Sequence, residues 1–248
     1  MQAHETSDWD GLRRTAHVWH VPPDALPMSN LERRIVSWLS PKEWARHERF
    51  RTDHLRHSYL ATRWLCRTAL SRYTGVDGKD WTFVDNANGK PAIAGPAQFA
   101  ELRFNLTHTE GLLACAVSRA GEVGIDAEEI SRSVDFEGIA ANFFSQTERA
   151  ALESLSPQDR PGKFMEFWVL KEAYLKGCGT GFSQPPEGFT IKWADDGQPL
   201  PIADWQLSMH RPTSHHVAAV AVRPHAAMTP VPIIWREIKS LEWIDSQP

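Results

Sequence analysis

Cysteine, tyrosine and methionine are scarce in this 248-residue chain, with three, three and five of each. Cys66, Cys115 and Cys178 are odd in number and stand at no metal-ligand spacing, so neither a zinc site nor a disulfide framework is indicated. Cys66 and Cys115 fall within apolar segments and read as buried free thiols. Basic residues are not in excess. With 27 Lys and Arg against 31 Asp and Glu, the net charge is -4, which argues against wholesale nucleic-acid or polyanion binding but leaves room for a local basic patch. No run approaches the ~18 apolar residues of a membrane span. Met1 to Asp10 has neither a basic n-region nor an apolar h-region. The expectation is a cytoplasmic, reduced, soluble protein with no nucleic-acid or membrane partner.

What is plentiful is tryptophan, with 11 residues, in an otherwise ordinary composition of 42% hydrophobic and 23% charged residues. The length suffices for one large domain or two small ones. An internal repeat favours two. Ser40-Pro41-Lys42-Glu43 and Ser145-Gln146-Thr147-Glu148 each read as a capping box that opens a helix. Trp64-Leu65-Cys66-Arg67-Thr68-Ala69-Leu70 corresponds to Trp168-Val169-Leu170-Lys171-Glu172-Ala173-Tyr174, and Gly75 and Gly179 are placed to end the two helices. The offset of about 104 residues suggests two related α+β halves rather than a solenoid.

Strands fill the remaining space. Arg103–Leu106, Leu112–Val117 and Glu122–Asp126 have strand composition, and Arg119-Ala120-Gly121 suits a hairpin turn. Phe189–Trp193, Trp205–Met209 and His216–Val222 suggest a meander. Each half then pairs a long helix with a small, mostly antiparallel sheet. The expected division is 1–121 and 122–248, near Gly121.

Several charged groups call for an explanation. In Gly124-Ile125-Asp126-Ala127-Glu128 the two acids stand at i and i+2, so a strand points both to one face. Glu172 lies in a helix that is apolar on nearly every side and shares a stripe with Trp168 and Lys176. A buried carboxylate needs a partner. An intrahelical Glu172–Lys176 pair would provide one but leaves Asp126 and Glu128 unexplained. Three carboxylates from two elements suit Mg²⁺, or Mn²⁺, together with a phosphate-bearing substrate. Arg56, Arg63 and Arg67 fall on one helical stripe, which is either a solvated face or a fork for phosphate. Asn88-Gly89-Lys90-Pro91 is a turn that presents a lysine, and Asn105-Leu106-Thr107-His108 ends a strand with polar groups.

Taken in order, Asn105-Leu106-Thr107-His108, Gly124-Ile125-Asp126-Ala127-Glu128, Phe143-Phe144-Ser145-Gln146-Thr147-Glu148 and Phe167-Trp168-Val169-Leu170-Lys171-Glu172-Ala173-Tyr174-Leu175-Lys176 resemble the phosphopantetheinyl transferases of the surfactin-synthetase-activating (Sfp) type. The resemblance runs from about Trp44 to Val222. It implies an α+β, two-layer pseudo-dimer with the active site between its halves. It also implies an enzyme that moves 4′-phosphopantetheine from coenzyme A to a serine of an apo acyl, peptidyl or aryl carrier protein, releasing 3′,5′-ADP. On this resemblance Asp126, Glu128 and Glu172 match metal ligands, and Lys176 and Lys171 match lysines near the pyrophosphate. Thr107 and His108 match residues on CoA phosphates, Lys90 one near the adenine nucleotide, and Arg46 and Arg56 residues at the 3′-phosphate. Thr107 stands where serine is commoner and Ala127 where a larger aliphatic is frequent; neither change removes a ligand.

Within this reading Glu172 is the expected base and Lys176 the expected stabiliser of the leaving group. The carrier is expected to dock near Phe143–Pro161, where Arg149 and Arg160 lie, and one chain supplies both faces of the site, which suits a monomer. The competing expectation is a non-catalytic regulator of the same fold that binds CoA or a nucleotide without transfer.

Overall fold

Local capping signals open and close the principal helices of each half. The structure, a computed structural model, describes residues 5–132, 134–225 and 230–241. The helices are α1 (Glu5–Gly11), α2 (Met28–Ile35), α3 (Pro41–Glu48), α4 (Asp53–Thr74), α5 (Phe136–Phe143), α6 (Gln146–Glu153) and α7 (Arg160–Cys178). The strands are β1 (Ala16–Val21), β2 (Thr82–Asp85), β3 (Pro91–Gly95), β4 (Arg103–Thr109), β5 (Leu112–Ser118), β6 (Gly121–Glu129), β7 (Gln206–Thr213), β8 (His216–Pro224) and β9 (Ile233–Glu237). Ser40 and Ser145 each accept a bond from the N–H of the glutamate three residues on, and each glutamate accepts from the serine N–H in return. The long helices α4 and α7 end at Gly75 and Gly179, whose φ values of 68° and 67° are left-handed and cheap only for glycine.

Each long helix covers its own sheet, as the repeat implies. The first sheet has the order β4-β5-β1-β9, the second β6-β8-β7, and β2-β3 form a separate hairpin. Trp64, Leu65 and Leu70 of α4 share a core with Trp19, Leu113 and Val117. Phe167, Leu170 and Ala173 of α7 share another with Phe144, Trp205 and Ala219. Between the sheets lies a third cluster of short side chains, including Ala16, Val18, Ala114, Ala116, Val123 and Val220. Side chains this small let two sheets approach closely while still excluding water.

Two strand expectations are corrected, and one strand not expected from sequence is added. Arg119-Ala120-Gly121 does not close a hairpin, because β5 already pairs with β4 and β1 on its two edges, so the chain passes to the other sheet, where β6 pairs with β8. Phe189–Trp193 is not a strand; Trp193 makes only an isolated bridge to Pro199, and β6 is the second neighbour of β8 instead. The last strand, β9, crosses back from the second half and pairs in parallel with β1.

The approach of α7 to β6 sets the height of the site. A Cβ on Gly124 would lie 2.0 Å from the Ala173 carbonyl oxygen and 2.3 Å from the Gly177 nitrogen. Only a strand residue without a side chain lets the helix sit this low, with Glu172 and Lys176 beside Asp126.

Candidate active site

The two halves meet along β4 and β6 through side chains rather than a backbone ladder. One edge of β6 pairs with β8, and the N–H groups of its other edge need acceptors. Asn105 Oδ1 accepts from Ile125 N at 2.9 Å, Thr107 Oγ1 from Ala127 N at 3.3 Å, and Thr109 Oγ1 from Glu129 N at 3.3 Å. Both strands supply alternate residues, as the period-two geometry of a strand requires.

Above this seam lies a cleft of about 720 Å³. The first half lines it with Arg46, Tyr59, Arg63, Thr107 and His108, and the second with Asp126, Glu128, Trp168, Glu172 and Lys176. Its lining is bipolar, with Asp126, Glu128 and Glu172 from the second half clustered at one end and the arginines of the first half at the other; the first half also contributes Asp85.

At the acidic end Asp126 is buried, and its Oδ1 accepts from Lys176 Nζ at 2.6 Å and from Thr107 Oγ1 at 3.1 Å. Burial pushes this carboxyl up and Glu128 adds to the rise, while Lys176 pulls it down. Its other oxygen, Oδ2, is buried without a hydrogen-bond partner. Glu128 accepts from Arg132 at 2.9 and 2.8 Å and from Thr109 at 3.3 Å. Glu172 is pushed up to about 7, first by burial and then by the charge of Asp126, with Glu128 adding and Lys176 opposing. The intrahelical pair weighed from spacing does not form, since Lys176 reaches across to Asp126.

As the side chains stand, no three carboxylate, imidazole or thiol groups among the described residues converge closely enough to hold a metal ion. Arg132 and Lys176 engage Glu128 and Asp126 instead. The donor set nevertheless fits a hard cation. The buried Oδ2 of Asp126 has no partner, and Glu172 is held high first by burial and then by Asp126 and Glu128, so a hard cation here would meet an unpaired carboxylate oxygen and relieve the crowding of three acids.

The basic end is built on α3 and α4. The guanidinium groups of Arg46 and Arg63 lie 5.8 and 5.3 Å from the Tyr59 ring centroid. Arg63 Nε is buried without a hydrogen-bond partner. Packing in the cleft wall depresses His108, with Lys176 and Arg63 adding to the effect.

Four residues expected at the site do other work in this structure. Lys171 points away from the cleft; its Nζ lies 2.9 Å from Glu148 and donates to the carbonyls of Pro186 and Phe189 at 2.8 Å each. Five residues turn a helix through about 140° beyond one full revolution, so Lys171 and Lys176 cannot share a face. Arg56 pairs with Asp53 at 2.9 Å and is absent from the cleft lining. Lys90 borders an adjoining hollow of about 250 Å³, but its ammonium donates to the Gly177 carbonyl at 2.6 Å and pairs with Glu122 at 3.1 Å. Asn86 and Asn88 donate to the Gly179 carbonyl at 2.9 and 3.0 Å, so this turn caps α7. The single proton of the Thr107 hydroxyl is given to Asp126, leaving none for a ligand phosphate.

Sequence reasoning misses Tyr59 and Thr109, and it reaches Arg63 only as one of three arginines on a possible phosphate-binding stripe. Arg63 shares the helical stripe of Arg56 and Arg67, and only packing tells them apart. Arg67 is buried against Glu43 at 2.8 Å, and Arg63 alone of the three opens on the cleft.

A family model described as 4′-phosphopantetheinyl transferase superfamily matches residues 122–222, and one described as 4′-phosphopantetheinyl transferase, N-terminal, matches residues 27–120. The chain is 34% identical over 212 residues to 4′-phosphopantetheinyl transferase HetI of Nostoc sp., covering 85% of this chain and 89% of the relative. It is 30% identical over 190 residues to 4′-phosphopantetheinyl transferase Sfp of Bacillus subtilis, covering 76% and 79%. A solved holo-(acyl-carrier-protein) synthase of Bacillus anthracis, in complex with CoA (3′,5′-ADP), aligns with a TM-score of 0.37 at 20% identity, over 42% of this chain and 96% of that one.

Proposed function

The chain belongs to the 4′-phosphopantetheinyl transferase superfamily, and from that premise we propose that its interdomain cleft transfers the 4′-phosphopantetheine of coenzyme A to a serine of an apo carrier protein. The observation that carries the reading is the bipolar lining. Arg46, Arg63 and His108 form a basic end suited to the phosphates of CoA, while Asp126, Glu128 and Glu172 form an acidic end suited to a divalent cation.

Asp126, Glu128 and Glu172 would hold Mg²⁺, with Mn²⁺ as a substitute. Bound there, such an ion supplies Lewis-acid polarisation of a phosphoryl oxygen. The remaining chemistry belongs to this chain's own side chains. The carrier serine Oγ forms a bond to the β-phosphorus of CoA, the bond from that phosphorus to the bridging oxygen breaks, and 3′,5′-ADP departs with the electron pair. A serine hydroxyl is a weak nucleophile at neutral pH. Glu172, with a carboxyl near neutrality in this structure, takes its proton, directly or through one water. Lys176 stands in the cleft with its ammonium 2.6 Å from Asp126, placed to move onto the charge that builds on the leaving group.

The groove floored by Phe136, Ala140, Leu152 and Phe164 carries both signs at its rim, Arg149 and Arg160 with Glu137 and Glu153, and we place carrier docking there on its apolar floor and its two arginines. No helix among the described residues is long and apolar enough to cross a membrane. The reading carries with it a cytoplasmic monomer, because one chain already supplies both cleft walls.

The test is intact-mass analysis of apo fatty-acid, polyketide and peptide carriers incubated with the protein, CoA and Mg²⁺, with an EDTA control. A metal-dependent gain of one phosphopantetheine is expected. CoA binding without transfer to any carrier would overturn the reading in favour of a regulator.

A further inference from the structure

Two threonines on β4 repeat one arrangement. Thr107 Oγ1 donates to the Asp126 carboxylate at 3.1 Å and accepts from the next N–H, that of Ala127, at 3.3 Å. Thr109 Oγ1 donates to the Glu128 carboxylate at 3.3 Å and accepts from the next N–H, that of Glu129, at 3.3 Å. The threonines are two residues apart, as are the acids, so the two units repeat along the strand direction. A hydroxyl has one proton and two lone pairs, and each threonine spends that proton on an acid. The backbone bond fixes the oxygen, and the fixed oxygen aims the carboxylate.

We propose that Thr107 and Thr109 are paired positioning residues through which the first half aims the two strand-borne carboxylates of the second half into the cleft. This rests on the reading of Asp126 and Glu128 as cation ligands. It gives the seam a function beyond holding the halves together, because displacement of β4 along β6 would misdirect both acids at once. Thr109 is the cleaner probe, since Thr107 also touches Lys176, at 3.4 Å. Outer hydrogen-bond partners of metal ligands typically contribute about 10–100-fold to metal affinity.

The test measures Mn²⁺ affinity of the full chain by the electron paramagnetic resonance signal of free Mn²⁺, without CoA or carrier. The proteins are wild type, Thr109→Val, Thr109→Ser, Glu128→Gln and the double variant Thr109→Val/Glu128→Gln, each checked for an intact thermal transition. Expected is a loss of about tenfold in Thr109→Val, near-complete rescue in Thr109→Ser, and no further loss when Thr109→Val is added to Glu128→Gln. The last result separates a role through Glu128 from a general weakening of the seam. Thr109→Val with wild-type affinity, or losses that multiply in the double variant, would overturn the proposal. A wild-type chain that binds Mn²⁺ but transfers nothing overturns the transferase reading alone, since positioning is still read from Mn²⁺ affinity. A wild-type chain that binds no Mn²⁺ overturns both.

Discussion

Lys171 is bound to Glu148, its Nζ 2.9 Å from the carboxylate with both side chains 1% exposed. Glu148 is the capping-box glutamate of α6, and it also accepts from Ile191 N at 2.7 Å. The first half repeats the device, with the capping-box Glu43 of α3 holding Arg67 of α4 at 2.8 Å. In each half, then, a buried ion pair ties the short helix to the long one. Burial pushes the Lys171 amine down, and the Glu148 carboxylate counteracts this.

Removing one member of such a pair leaves a buried charge, at a typical cost of about 3–5 kcal/mol. Lys171→Met should lose stability on this scale in urea unfolding, while the folded variant keeps its KM for CoA. Lys171→Met/Glu148→Gln should recover part of the loss. A raised KM at unchanged stability would instead return Lys171 to the cleft.

Glu172→Gln should lower kcat by about 10²–10⁴, the usual range for a lost general base. The thermal midpoint should hold or rise, since a neutral amide ends the repulsion with Asp126 and Glu128. Steady-state transfer kinetics and a melting curve on the same preparation check both parts.

Arg63→Ala should raise KM for CoA about tenfold or more, the equivalent of one charge-assisted hydrogen bond. Arg56→Ala should leave it unchanged, because Arg56 is held by Asp53 outside the cleft. Equal effects from the two substitutions would contradict the division seen along α4.

His17 gives the fold an acid-sensitive point. It lies buried on β1, 2.7 Å from the Tyr73 hydroxyl, and is lowered from 6.5 to about 4, chiefly by burial and further by Arg236, with Asp8 opposing. Above 6.5 it is neutral in both states and adds no pH dependence. As pH falls from 6.5 towards 4 the unfolded chain takes up a proton that the native chain refuses, so stability drops, with the full cost reached below the native value. Urea midpoints of wild type and His17→Gln between pH 7 and 4.5 should therefore converge on acidification, by up to ~1.4 kcal/mol per pH unit. Parallel curves would show that His17 does not carry the effect.

Gly124→Ala should damage both stability and turnover. The added methyl meets backbone atoms of Ala173 and Gly177 rather than a movable side chain, and overpacking of this kind costs about 1–3 kcal/mol. A wild-type melting point and turnover would show that α7 can ride higher on β6 without loss.

The parts of the fold that were legible in the sequence are those written locally. The capping boxes at Ser40 and Ser145 and the left-handed stops at Gly75 and Gly179 depend on neighbours a few residues away, and all four form as read. Pairing between distant strands has no such signature. A short turn such as Arg119-Ala120-Gly121 looks the same whether it closes a hairpin or hands the chain to another sheet. At the site, spacing already put Trp168, Glu172 and Lys176 on one stripe, and all three line the cleft. The same rule applied to Lys171 would have turned it away from them. What spacing could not separate is Arg56, Arg63 and Arg67, which share a face until Asp53 and Glu43 claim two of them.

The return of β9 to β1 has a consequence for the order in which the protein can be made. During synthesis the first half emerges with β1, β4 and β5 but without the strand that completes their sheet, because Ile233–Glu237 follows β6, α7, β7 and β8 in the chain. Until then Ala16–Val21 presents a row of unpaired backbone groups, a template for any other extended chain. The nascent first half must therefore wait, shielded or exposed, until the second sheet and Ile233–Glu237 have left the ribosome before its own sheet can close.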